Sequence, residues 1–179
     1  MEQIFRSEGF PMEEIEKQKK GNQARLYSPH HPFPASKVSD NDLLTVGGIT
    51  LRCIHTPGHT PGHTCLYIEN KDILFSGDHI LFDITPNISV WRNVPYSLAD
   101  YLESLQKIKC LKVSHTFPGH REFHGDIQDR IDALTLHHHA RLKEILDAID
   151  QHPDCTAYET AGRISWSARG RVWEDFSPN

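Results

Sequence analysis

The sequence predicts a mixed α/β fold. Three observations carry that expectation. From Leu43 onward, short β-type runs follow one another across turn residues: LLTV, ITLRCIH, TCLYIE and ILFS. A helical stretch, ADYLESLQKI, and a further strand, LKVSHTF, come next. A long segment from Asp126 to Ile149 then repeats its apolar residues by threes and fours. Hairpin strands followed by alternating helix and strand belong to layered α/β architectures.

PMEEIEKQKK (11–20) reads as a short helix, with proline at its start, glutamates in the first turn, lysines in the last and Gly21 after it. Glu13–Lys17 and Glu16–Lys20 are i,i+4 pairs of favourable orientation. LYSPHHPFPASKV (26–38) holds three prolines, which exclude helix and favour an extended surface segment. LLTV (43–46) and ITLRCIH (49–55) flank Gly47-Gly48 as a β-hairpin on a two-residue turn. TCLYIE (64–69) and ILFS (73–76) form the next two strands, with the turn at Asn70–Asp72. In ADYLESLQKI (99–108), Tyr101, Leu102, Leu105 and Ile108 fall on one helical face. LKVSHTF (111–117) is a strand. Over 126–149, Ile127, Ile131, Leu134, Leu142, Ile145 and Ile149 line most of one face of the longest helix, which Pro153 ends. TAYETAGRISW (156–166) starts a last helix before a polar tail. The organisation expected is an N-terminal helix and connecting segment over 1–42, a central half-domain over 43–124 and a helical extension over 125–179.

Length and charge narrow the function classes. A chain of 179 residues suits one domain with a real core. The net charge of −5, without a basic tail, argues against nucleic acid and anionic membrane as partners. No apolar run approaches the ~20 residues of a membrane span, and MEQIFRSEGF has no signal-peptide pattern. The four cysteines form no CxxC and read as reduced, mostly buried thiols of a cytoplasmic protein. The unusual residue is histidine, of which there are thirteen.

Three short motifs share one design. A strand ends at His55 and a turn delivers Gly58-His59. A second ends at Ser76 and delivers Gly77-Asp78. A third ends at Phe117, and Pro118 leads to Gly119-His120. Each places a metal-ligand side chain after a glycine just past a strand end, where α/β sheets collect ligands. Imidazole nitrogens with a carboxylate oxygen suit Zn²⁺, and also Mn²⁺ or Fe. His59, Asp78 and His120 are therefore the candidate ligand set. Any one motif alone is ordinary turn chemistry; their joint occurrence raises the metal reading. Loop residues Phe82, Trp91 and Tyr96 either line a substrate groove or simply pack.

The remaining histidines are weaker candidates. His55, His59 and His63 recur at a spacing of four, but Pro57 and Pro61 exclude a helix, so they need not point the same way. His55 packs or hydrogen-bonds. His63 either orients a ligand or fixes the next strand. His124 stands outside the ligand set. His137-His138-His139 lie on a helix, where neighbours diverge by roughly 100° and cannot meet on one ion.

TPGHTPGH (56–63), FSGDH (75–79) and FPGH (117–120), in that order, resemble the second half of the metallo-β-lactamase-fold hydrolases. The branch near hydroxyacylglutathione hydrolases and the lactamase-like ribonucleases is the most similar. The resemblance implies half of an αββα sandwich with a helical C-terminal extension. It implies one or two metal ions, with His59 on the first, Asp78 bridging both and His120 on the second. Water activated by the metals would attack an ester, thioester, amide or phosphodiester centre of a small-molecule substrate. The family's HxHxDH motif, which supplies most ligands, is absent: the only HxH lies within 137–139. The expectation is a C-terminal portion of a longer enzyme that binds metal weakly alone, exposes apolar sheet surface and self-associates. The competing expectations are an inactive remnant or interaction module and, least favoured by the acidic charge, an RNA-processing nuclease.

Overall fold

The computed structural model of the chain describes residues 2–20, 31, 34–91 and 93–166. The elements are α1 (Glu2–Ser7), α2 (Met12–Lys20), β1 (Leu43–Val46), β2 (Ile49–His55), β3 (Thr64–Ile68), a 3₁₀ turn (Glu69–Lys71), β4 (Ile73–Gly77), α3 (Ser97–Lys109), β5 (His115–Pro118), α4 (Ile127–Gln151) and α5 (Ala157–Ala161). They divide into two compact units: Ala35–His137, and the end segments Met1–Pro34 with His138–Asn179. Among the described residues no helix is long and apolar enough to cross a membrane.

The central unit carries one five-stranded sheet in the order β1-β2-β3-β4-β5. The first four strands are antiparallel neighbours, and β4 pairs with β5 in parallel. Gly47 and Gly48 take φ of +56° and +79°, the left-handed pair that a two-residue hairpin needs, and Val46 faces Ile49 across them. Strand direction follows by counting: β2, β4 and β5 run the same way. Their C-terminal ends, at His55, Gly77 and Pro118, therefore lie along one edge of the sheet.

Residues paired across a ladder share a face. Ile54 faces Cys65, Tyr67 faces Leu74, and Leu74 faces Thr116. This face packs with Tyr101, Leu105 and Ile108 of α3 and with Ile127, Ile131 and Leu134 of α4, and these residues form the buried core. Each such aliphatic side chain contributes about 2 kcal/mol by burial. The other face holds Cys53, Leu66, Phe75 and Phe117 in one cross-strand row. Phe75 and Phe117 stack with ring centroids 5.2 Å apart, yet are 38% and 51% exposed. The sheet is apolar on both sides; on this second face Cys53 and Ile68 are buried while Phe75 and Phe117 are exposed.

Two expected elements differ. The strand expected over 111–117 forms only at His115–Pro118. Leu111 and Val113 pack against the core instead, and this approach is fixed to the β3–β4 turn. Ser114 N–H donates to the Asp72 carbonyl at 2.8 Å, and the Tyr67 hydroxyl donates to the Lys112 carbonyl at 2.5 Å. The thiols are also less buried than expected: all four are free, but Cys110 is exposed and Cys155 only half-buried. The extended segment 26–38 lies largely outside the described residues; 34–38 carries neither helix nor strand.

In the second unit, α1 is an element that the sequence reading did not anticipate. It is closed by Gly9 and Phe10, whose ring meets those of Phe5 and Tyr158 at 5.0 Å each. Thr156 and Glu159 cap α5 reciprocally, each accepting the other's backbone N–H.

Candidate active site

The sheet edge defined by β2, β4 and β5 carries the three candidate ligands. Beyond β2 the chain turns through Thr56-Pro57-Gly58 to His59. Gly58 has φ +138°, and a Cβ there would stand 2.6 Å from the Tyr101 Cα, so the turn lies directly against α3. Ser104 of α3 donates to the Pro57 carbonyl at 2.9 Å. His59 Nδ1 sits 2.7 Å from the Asn87 carbonyl, which only accepts. Nδ1 therefore carries a proton, which in the neutral ring leaves Nε2 as the donor atom for a metal. The Trp91 indole N–H donates to the His59 carbonyl at 3.2 Å. The loop after Asp78 thus holds His59 at both ring and backbone.

Asp78 and His120 meet through the parallel pair. Gly119 N–H donates to the Gly77 carbonyl at 2.8 Å, and a Cβ on Gly119 would stand 2.6 Å from Asp78 Oδ1. This glycine serves close approach, not a left-handed backbone. The result is convergence: His59 Nε2 lies 3.6 Å and His120 Nε2 3.3 Å from the same oxygen, Asp78 Oδ2.

These separations bear on metal binding. Donors about 2.1 Å from a tetrahedral ion stand about 3.4 Å from each other. Each His–Asp pair is thus spaced as two corners of a coordination shell, and two neutral imidazoles with one carboxylate are the right chemistry. The number is short. Among the described residues no group of three or more His, Cys, Asp or Glu side chains is placed to hold one ion. His59 with Asp78, and Asp78 with His120, form two pairs that share one oxygen, so a complete shell needs donors beyond these three.

The other histidines are sorted by their partners. His55 Nε2 lies 3.0 Å from the Pro61 carbonyl, and its backbone N–H donates to Asp40, which is anchored by Lys107. His63 lies beneath Asp78, between the Asp78 amide and Thr56; burial, then the neighbouring His59, lowers its pKa. His79 is fully buried against Tyr101, and burial pushes its pKa down to about 3. Burial pushes the Cys65 thiol up to about 12. His124 pairs with Asp83 at 3.1 Å, away from Asp78. His137 to His139 lie along α4, the first two half-buried and the third exposed.

The loop residues separate. Phe82 is buried against Phe123 and His124 and belongs to the core. Trp91 is partly exposed beside His59, and Tyr96 is exposed. Sequence reasoning missed Asn87, which acts through its backbone carbonyl and leaves no side-chain signature. Trp91, expected either to line a groove or to pack, also donates its indole N–H to the His59 carbonyl.

Comparison with known proteins identifies the chain's family. A family model described as the metallo-beta-lactamase superfamily matches residues 4–120, well over half of the chain. The chain is 33% identical over 136 residues to a Beta-lactamase-like protein 2 homolog of Caenorhabditis elegans, covering 74% of this chain and 44% of that protein. It is 27% identical over 121 residues to an atrochrysone carboxyl ACP thioesterase of Aspergillus fumigatus, covering 67% of this chain and 36% of that protein. The crystal structure of a metallo-beta-lactamase family protein from Thermus thermophilus superposes with a TM-score of 0.71 at 32% identity, covering 89% of this chain and 50% of that one. The chain thus spans half or less of the length of these relatives. On the sheet, the three glycine-led motifs and the extent of the match, the chain belongs to the metallo-beta-lactamase superfamily.

Proposed function

We propose that this chain is the part of a metal-dependent hydrolase that presents His59, Asp78 and His120, with further donors completing the shell. The observation that carries the reading is the shared oxygen: two imidazole nitrogens from different strand ends aim at Asp78 Oδ2, at 3.6 and 3.3 Å. One or two Zn²⁺, or Mn²⁺ or Fe, held there would lower the pKa of water and stabilise negative charge at the reacting centre. The chain's own residues orient the donors. Asn87 fixes the His59 tautomer, Gly119 seats β5 against Asp78, and the exposed Trp91 ring lies at the rim, where a small-molecule substrate would enter.

Among ester, thioester, amide and phosphodiester centres, a thioester is favoured by the relative named as an ACP thioesterase. The test is made in a polypeptide that joins this chain to the complementary donors. Asp78→Ala should lower retained metal and thioester hydrolysis together, by about a hundredfold or more. Unchanged hydrolysis would sink the assignment.

A second reading, a non-catalytic interaction module, draws support from the uncovered Phe75–Phe117 face and the short donor count. It gains the advantage if the longer polypeptide carries no HxHxDH motif. An in-frame HxHxDH ahead of this region removes it.

A further inference from the structure

Asp78 rests on a histidine that belongs to neither donor pair. A Cβ on Gly77 would stand 2.7 Å from His63 Nε2, so the chain passes over this ring only because residue 77 has no side chain. The Asp78 amide then donates to that nitrogen at 3.2 Å. An amide N–H cannot accept, so Nε2 carries the lone pair and Nδ1 the proton. Nδ1 lies 2.8 Å from Thr56 Oγ1, which therefore accepts and turns its own hydroxyl proton to Cys65 Sγ, 3.4 Å away. The Cys65 thiol in turn donates to the Ser76 carbonyl at 3.5 Å. Thr56, Cys65 and Ser76 are each fully buried. One ordered chain of donors thus runs from the Asp78 amide, through His63, Thr56 and Cys65, to the Ser76 carbonyl in the core of β3 and β4.

We propose that His63 is a positioning residue for Asp78: as the Nδ1–H tautomer it accepts the Asp78 amide and so aims the carboxylate between His59 and His120. The inference rests on Asp78 acting as a donor in the proposed hydrolase. A ring that merely fills space beneath the turn would show no preference between its two nitrogens. The alternatives separate through amide variants. His63→Gln places an acceptor oxygen near the Nε2 position and gives up the Thr56 bond. His63→Asn keeps a polar group near Nδ1 and leaves the Asp78 amide without its acceptor.

The experiment uses the 179-residue chain with ¹⁵N-labelled histidine and Co²⁺ alone as probe. Long-range ¹H–¹⁵N spectra read the His63 tautomer. Paramagnetic broadening of the His59 and His120 ring signals reads the site, and melting is recorded for every variant. The expected spectrum shows His63 protonated on Nδ1. His63→Asn and His63→Ala should need about tenfold more Co²⁺ for half-broadening, and His63→Gln no more than about threefold. His63 protonated on Nε2 overturns the proposal. So do equal losses in Gln, Asn and Ala that track the melting temperature. If Co²⁺ leaves the unmodified chain unchanged, the metal reading of the site falls. His63 is then judged by its tautomer and by whether the Asp78 amide resonance moves in Asn and Ala but not in Gln.

Discussion

At the hairpin end of the sheet, Gly47 and Gly48 turn the chain through left-handed backbone, and a Cβ on either would meet nothing within 4 Å. At the opposite end, Gly58, Gly77 and Gly119 are each pressed against a neighbour. Added Cβ atoms would stand 2.5, 2.7 and 2.6 Å from Tyr101 Cβ, His63 Nε2 and Asp78 Oδ1. At the hairpin end glycine serves backbone conformation alone; at the other end it serves close approach, with positive φ added at Gly58 and Gly77. The first end of the sheet is only connected, whereas the second is assembled around a group of side chains. Only at the second end should small substitutions propagate to His59, Asp78 and His120.

Substitutions at the two ends put that contrast at risk. The largest effect is expected for Gly58→Ala, which combines a backbone conformation open to glycine with a clash on the α3 backbone. It should lose about 4 kcal/mol in urea unfolding; a loss similar to that of a hairpin glycine would erase the distinction. Gly119→Ala comes next, at about 2 kcal/mol, because the tightest contact of its Cβ, 2.6 Å, is with the movable end of Asp78, while the Gly77 carbonyl stands back at 3.0–3.2 Å. Its signature is a displaced carboxylate, read as a weakened response of His59 and His120 to added metal.

The third test is a pH dependence confined to the site end. The folded His79 has its pKa pushed down to about 3 by burial, against an ordinary value of 6.5. Below that ordinary value the unfolded chain takes up a proton that the fold refuses. Stability is therefore full above pH 6.5 and falls as pH drops toward 3. Between about pH 7.5 and about pH 5.5 the His79 contribution to the loss should be about 1 kcal/mol, absent in His79→Leu. A slope unchanged by that substitution would place its source elsewhere. The smallest effect is expected for Gly48→Asn, under about 0.5 kcal/mol, since asparagine tolerates the left-handed turn. A large loss there would mean that the hairpin end is assembled as tightly as the other.

Much of this was legible from residues alone. The Gly-Gly hairpin, β3, β4 and the long helix follow from turn chemistry and apolar periodicity. So does the placement of His59, Asp78 and His120 on one edge, because each follows a glycine at the end of a strand. Pro57 and Pro61 correctly separated His59 from His55 and His63. What was not legible depends on contacts through space. Leu111 and Val113 look like strand residues, yet the Asp72 turn captures the backbone that follows them. The Asn87 carbonyl has no side-chain signature, and the link from His63 to the Asp78 amide appears only when β3 and β4 lie side by side. The exposed row of Phe75 and Phe117 was also beyond alternation, since apolar residues on both faces of a strand do not say which face is covered.

The most direct test of the account adds Zn²⁺ to the ¹⁵N-histidine-labelled chain and follows all imidazole signals at neutral pH. Weak binding should shift His59 and His120 together, leave His137 to His139 unmoved, and disappear in Asp78→Ala. Shifts centred on His137 to His139, or a His59 and His120 response that survives the loss of the Asp78 carboxylate, would contradict it.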